Sequence, residues 1–199
     1  AFQSLDPLLR SPSGVLQAVL LLPFDGFPPL TVAWTLSHEL LFYGLLALAI
    51  ALGRAGLGIL CAWLTLCAFN TIGLLVGVEV PAFPFSFLLS PYNLLFGFGL
   101  AAARVFRAIS ARLAPWLLVV GLAGFLAVML NDTLLDGPVG TLAYGLAGAV
   151  ILASCGRLEL AGSIRVPRSL VFVGDASYSL YLLHTTAIIA TAMVLKRTQ

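Results

Sequence analysis

The chain has 199 residues, of which 61% are hydrophobic and 9% charged, with a formal charge of +2 and a mean hydropathy of +1.08. So little charge excludes an ordinary water-soluble fold, and the ten basic residues form no dense run of the kind that holds nucleic-acid phosphates. Apolar runs approaching the roughly 20 residues that cross a bilayer of about 30 Å make an integral membrane protein the expectation.

Residues 1–33 read as an interfacial or periplasmic lead-in to a single membrane domain that fills 1–199. Their start, AFQSLDPLLRSPSG, lacks an initiator Met and a basic stretch leading into an apolar one, so the expectation is a segment within a longer protein and not a signal peptide. Ser13 to Leu22 is too short to span. Six spanning helices are predicted between residues 34 and 195. The first runs from about Trp34 to Gly53 and is followed directly by Arg54; the second runs from Leu57 to Val78 and stops at Glu79. Between Glu79 and Ser90, Pro81 and Pro84 interrupt a row of phenylalanines. This segment, like Ser13 to Leu22, is expected along the outer interface, where aromatic rings and irregular backbone are tolerated.

The third span starts near Pro91 and ends in Arg104, Arg107 and Arg112; the fourth runs from Pro115 to Leu130 and meets Asn131 and Asp132. The fifth goes from about Val139 to Cys155, ahead of Arg157, Arg165 and Arg168, and the sixth occupies roughly Asp175 to Leu195. Threading the chain back and forth gathers seven arginines on one side, with Asp25, Glu79, Asp132 and Asp136 on the other. The arginine side is expected to be cytoplasmic, with Lys196 and Arg197 as exceptions. Long even runs argue for helices and against a barrel, whose strands would alternate. The class is therefore all-α. Gly97 with Ala101, Gly99 with Ala103, and Gly145 with Ala149 are small pairs that let helix backbones approach. Cys61, Cys67 and Cys155 lie in apolar runs without paired spacing, so they read as small buried hydrophobes and no metal site is expected.

An ionisable group inside a span costs at least about 2.5 kcal/mol, so each calls for a partner or a task. Glu39 lies about 7 Å along the first span, with Thr35, Phe42 and Tyr43 on its face and His38 about 100° away. It either orders helix packing or serves a site. In the sixth span, GDASYSLYLLH suggests that Gly174 breaks the chain and Asp175 caps a helix on which Ser177, Tyr181 and His184 share one stripe. His184 then lies about 13 Å from that helix start, where an imidazole needs a hydrogen-bond partner or a wet cavity. Asn70 and Asn93 are expected to bind carbonyls of a neighbouring helix. Arg104 and Arg107 mark a cytoplasmic helix end, or contact anionic headgroups or an anionic cofactor.

WTLSHELLFY at 34–43 and SYSLYLLH at 177–184, in this order and within apolar spans, resemble two signatures of the acyltransferase 3 family, most closely its exopolysaccharide-acetylating branch. LLLPFDGFPPLTVAW before the first signature and SPYNLLFGFGLAAA at 90–103 resemble that family's layout too. The resemblance implies a multi-span O-acyltransferase that moves an acyl group, commonly acetyl from acetyl-CoA, onto a hydroxyl of a carbohydrate or other envelope molecule. It further implies residence in the bacterial inner membrane. Trp34, Ser37, Glu39, Phe42 and Tyr43 match the first signature; Ser177, Tyr178, Tyr181 and His184 match the second. The family's presumed catalytic histidine, with its preceding arginine, lies on a span ahead of the tryptophan signature, and at least one span usually follows the second. The 199 residues are thus expected to be a central fragment, inactive alone. Glu39 and His184 are the candidates for acceptor-positioning roles in acyl transfer, with Trp34, Ser37, Tyr43, Ser177, Tyr178 and Tyr181 as binding residues. Intramembrane Glu, His and Tyr also build transport paths, so a transporter or flippase is the rival reading, and a non-catalytic scaffold the other.

Overall fold

Uninterrupted apolar sequence leaves each backbone carbonyl no partner but its own chain, and the chain responds with helices. In the computed structural model, which describes residues 12–23, 33–131 and 137–197, no strand occurs among the described residues and the protein is all-α. The elements are α1 (Pro12–Val19), α2 (Ala33–Leu52), α3 (Arg54–Leu75), α4 (Phe85–Leu88), α5 (Asn93–Val105), α6 (Ala114–Met129), α7 (Pro138–Leu160) and α8 (Arg168–Arg197), with a 3-10 turn at Phe106–Ala108. Asp25, Asp132 and Asp136 lie outside the described residues, as do the side chains of Lys196 and Arg197.

Among the described residues, four stretches are long and apolar enough to cross a membrane: Trp34–Leu52, Arg54–Leu75, Phe85–Ala108 and Pro138–Leu160. This is a polytopic helical membrane protein. The fourth and sixth expected spans are also helical. α6 has 16 residues, just under the usual span of about 17–25. The sixth expected span lies within α8, a helix of 30 residues. Gly174 does not break this helix and Asp175 does not cap it, because α8 starts at Arg168. His184 therefore lies about 24 Å along the axis from the helix start.

The chain forms two compact units, Ala1–Leu40 with Val166–Gln199, and Leu41–Arg165. In the second, α7 packs on α6, α5 and α3. Small residues permit this. A side chain at Gly145 would collide with Leu95 and Phe98, and a methyl added at Gly97 would lie 3.5 Å from the Leu64 methyls, whereas one added at Gly99 would meet nothing within 4 Å. Phe42 stacks on Phe96 with ring centroids 4.4 Å apart, Phe125 meets Tyr144 edge-on at 5.0 Å, and Arg157 Nε donates to the Ile109 carbonyl at 2.6 Å. One residue separates α2 from α3. Gly53 makes that reversal with φ of 58°, a conformation that costs other residues about 1–2 kcal/mol. Three residues on, a side chain at Gly56 would meet the Leu48 carbonyl and the Ala49 backbone, so only glycine lets the two helices start this close.

α4 has four residues and cannot satisfy its own last carbonyls. Side chains of α3 and α5 do so instead. Trp63 Nε1 donates to Leu88 O at 2.8 Å, Asn70 Nδ2 to Leu89 O at 2.9 Å, and Asn93 Nδ2 to both Phe87 O and Leu88 O at 3.0 Å. The Cys67 thiol also reaches Leu88 O at 3.5 Å. Asn70 and Asn93 thus take the carbonyl-binding role expected of them. Of the cysteines, Cys67 is buried, Cys155 partly so, and Cys61 exposed. Cys61 thus departs from the expectation of burial.

Candidate functional site

The first half of α2 breaks the rule that spanning helices are apolar, since Thr35, Ser37, His38 and Glu39 crowd into little more than one turn. Within the unit formed by 1–40 and 166–199, Thr35 Oγ1 lies 2.5 Å from Tyr181 OH. This hydrogen bond joins the two sequence signatures across 146 positions. Either hydroxyl can donate, so the pair can pass polarity in both directions.

His184 lies one turn beyond Tyr181 on α8. Its Nδ1 meets the Tyr181 carbonyl oxygen, and the two rings lie 5.5 Å apart at centroids. A carbonyl only accepts, so the ring Nδ1 donates in this contact. On α2, Trp34 meets His38 edge-on at 6.0 Å. His38 is buried, as is Ser37, whose hydroxyl donates to Leu21 O at 2.7 Å. Leu21 stands in the left-handed region at φ of 52°, in the turn that follows α1, and Gln17 closes the same turn by donating to Pro23 O at 2.7 Å.

The expected site residues therefore divide. Tyr181 and His184 are in contact, and Trp34 sits one position before the threonine that holds Tyr181. Ser37 is engaged with the turn after α1. Glu39 is half-buried, and no hydrogen bond or ion pair holds it among the described residues. Ser177 and Tyr178 are exposed on α8. Tyr43 is 58% exposed and belongs to the other unit, where its ring tilts against Phe42 at 6.1 Å. Thr35 and His38 are the residues that sequence reasoning underrated. The signal for both was the density of polar groups before Glu39, which attention to the one charged residue obscured. Among the described residues no group of three or more His, Cys, Asp or Glu is gathered as a metal site would need.

The model of a family described as an acyltransferase domain, of the acyltransferase 3 type, matches residues 4–199. No curated protein and no solved structure matches the chain.

Proposed function

Since the chain belongs to the acyltransferase 3 family, we propose that it is a membrane O-acyltransferase that moves an acyl group, acetyl above all, from acyl-CoA to a hydroxyl of a carbohydrate or other envelope molecule. The observation that carries this reading is the Thr35–Tyr181 hydrogen bond. It joins the two polar patches of an otherwise apolar chain at a pair of hydroxyls with the His184 imidazole beside Tyr181, groups suited to hydroxyl activation.

In the transfer, the acceptor oxygen bonds to the thioester carbonyl carbon, the carbon–sulfur bond breaks, and the hydroxyl proton leaves through a general base toward the departing CoA sulfur. His184 and Glu39 work beside that base as positioning groups. With Nδ1 held by the Tyr181 carbonyl, the His184 ring is fixed in place to set the approach of the acceptor hydroxyl. Tyr181, when Thr35 donates to its oxygen, has its own O–H to give to the acyl oxygen as negative charge develops there. Trp34, Ser177 and Tyr178 supply aromatic and hydroxyl surface for a sugar, and Ser37 and Tyr43 complete the set. The same reading puts the protein in a bacterial inner membrane with its arginine ends in the cytoplasm, supported by Arg54, Arg104, Arg107, Arg157 and Arg168 standing at or beside helix ends.

The test is CoA release by the purified full-length protein in proteoliposomes supplied with acetyl-CoA and polysaccharide acceptors. Acceptor-dependent release of CoA, slowed by His184→Ala at unchanged expression, is the expected result. Movement of acceptor across the membrane with no CoA released would replace the enzyme by a transporter.

A further inference from the structure

Within the unit of residues 41–165, three helices expose matching apolar stripes to one another without closing the gap. On α2 the stripe is Leu46, Ile50 and Gly53; on α3 it is Leu57, Cys61 and Leu64. Both repeat at the three-to-four residue spacing that keeps side chains on one helix face. α5 forms the third wall with Leu100, Ala101 and Arg104. The groove so formed has a volume of about 560 Å³, within the range of about 300–1,000 Å³ typical of ligand sites. It runs about 10 Å along α2 from Gly53 to Leu46. Its outer wall is open, since Ile50 is 77% exposed, so hydrocarbon can enter sideways from the bilayer.

The groove has one charged wall residue. Arg104 stands in the last turn of α5, at the end where α2 stops and α3 begins, and no carboxylate pairs with it among the described residues. An unpaired guanidinium at the lip of an apolar groove is costly in a membrane unless it reaches a phosphate at the interface. Basic pockets between helices on the cytoplasmic side meet that need with anionic headgroups. We infer that the groove between α2, α3 and α5 binds an anionic glycerophospholipid, one acyl chain lying between the Leu46 and Leu64 stripes and the phosphate on Arg104. A short acyl group on a soluble donor would leave most of these apolar positions uncovered, which favours the lipid over acyl-CoA.

Cys61 is a built-in reporter, exposed on the groove wall, while Cys67 on the same helix is buried. The experiment titrates phosphatidylglycerol or phosphatidylcholine into the purified protein in detergent and follows maleimide labelling of Cys61, with bound lipid counted by native mass spectrometry. Phosphatidylglycerol is expected to slow Cys61 labelling at lower concentration than phosphatidylcholine. Arg104→Gln should weaken phosphatidylglycerol about fivefold, the change that corresponds to one basic residue at a lipid surface, and Arg104→Lys should restore most of it. Equal protection by both lipids, no effect of Arg104→Gln, or protection by acetyl-CoA or by self-association in place of phosphatidylglycerol would each overturn the assignment.

Discussion

Replacing Asn93 with Leu removes two hydrogen bonds while keeping the side chain's size. Asn93 is completely buried and donates to Phe87 O and Leu88 O at 3.0 Å. Leu88 O keeps the Trp63 indole at 2.8 Å, and Phe87 O loses the Asn93 amide while keeping the Ser90 amide at 3.3 Å. At about 0.6–1.5 kcal/mol for each bond, the substitution should cost about 1–3 kcal/mol. For a chain of this size that is a fall of several degrees in Tm, on the order of 2–4 °C for each kcal/mol. Trp63→Phe should cost less as far as Leu88 O is concerned, because Asn93 still serves that carbonyl. The assay is thermal unfolding in detergent read by a thiol-reactive dye in a Cys61→Ser, Cys155→Ser background, so that buried Cys67, whose thiol touches Leu88 O, reports on this region. An Asn93→Leu protein that melts with its parent would refute the idea that side chains of α3 and α5 hold α4.

Gly56→Val forces a β-branched side chain into the Leu48 carbonyl and the Ala49 backbone; the α2–α3 hairpin should open, with a loss of 1–3 kcal/mol or more seen as a lower Tm, while Gly58→Val, where nothing lies within 4 Å, should be close to neutral. Ser37→Ala removes the 2.7 Å bond to Leu21 O and with it about 1 kcal/mol. Faster proteolysis or hydrogen exchange around residues 16–23 checks it, and unchanged exchange there would count against this role for Ser37.

The helical class and the membrane setting were legible because they follow from bulk hydropathy, which needs no tertiary knowledge. Boundaries were less so where one residue does unusual work. Arg54 reads as a loop charge, yet it opens α3 because Gly53 reverses the chain alone at φ of 58°. Gly174 reads as a break, but a glycine in mid-helix costs only about 1 kcal/mol, and the apolar residues Leu170 to Val173 carry the helix through it. Asn70 and Asn93 were recognisable as carbonyl binders, since a buried amide in hydrocarbon must find a partner; that the partner is the end of α4 depends on a four-residue helix no periodicity announces. The pairing of Thr35 with Tyr181 was out of reach, because contact between positions 146 apart is a property of the fold and leaves no local pattern.

That pairing is also where the proposed chemistry is most exposed to test. A double-mutant cycle on acyl transfer, with Thr35→Val, Tyr181→Phe and the two combined, measures whether the signature helices act as one site. A single shared hydrogen bond should make the double variant no slower than the worse single one, a departure from multiplied effects of roughly 2–10-fold. Effects that simply multiply, or two substitutions without consequence for transfer, would contradict it.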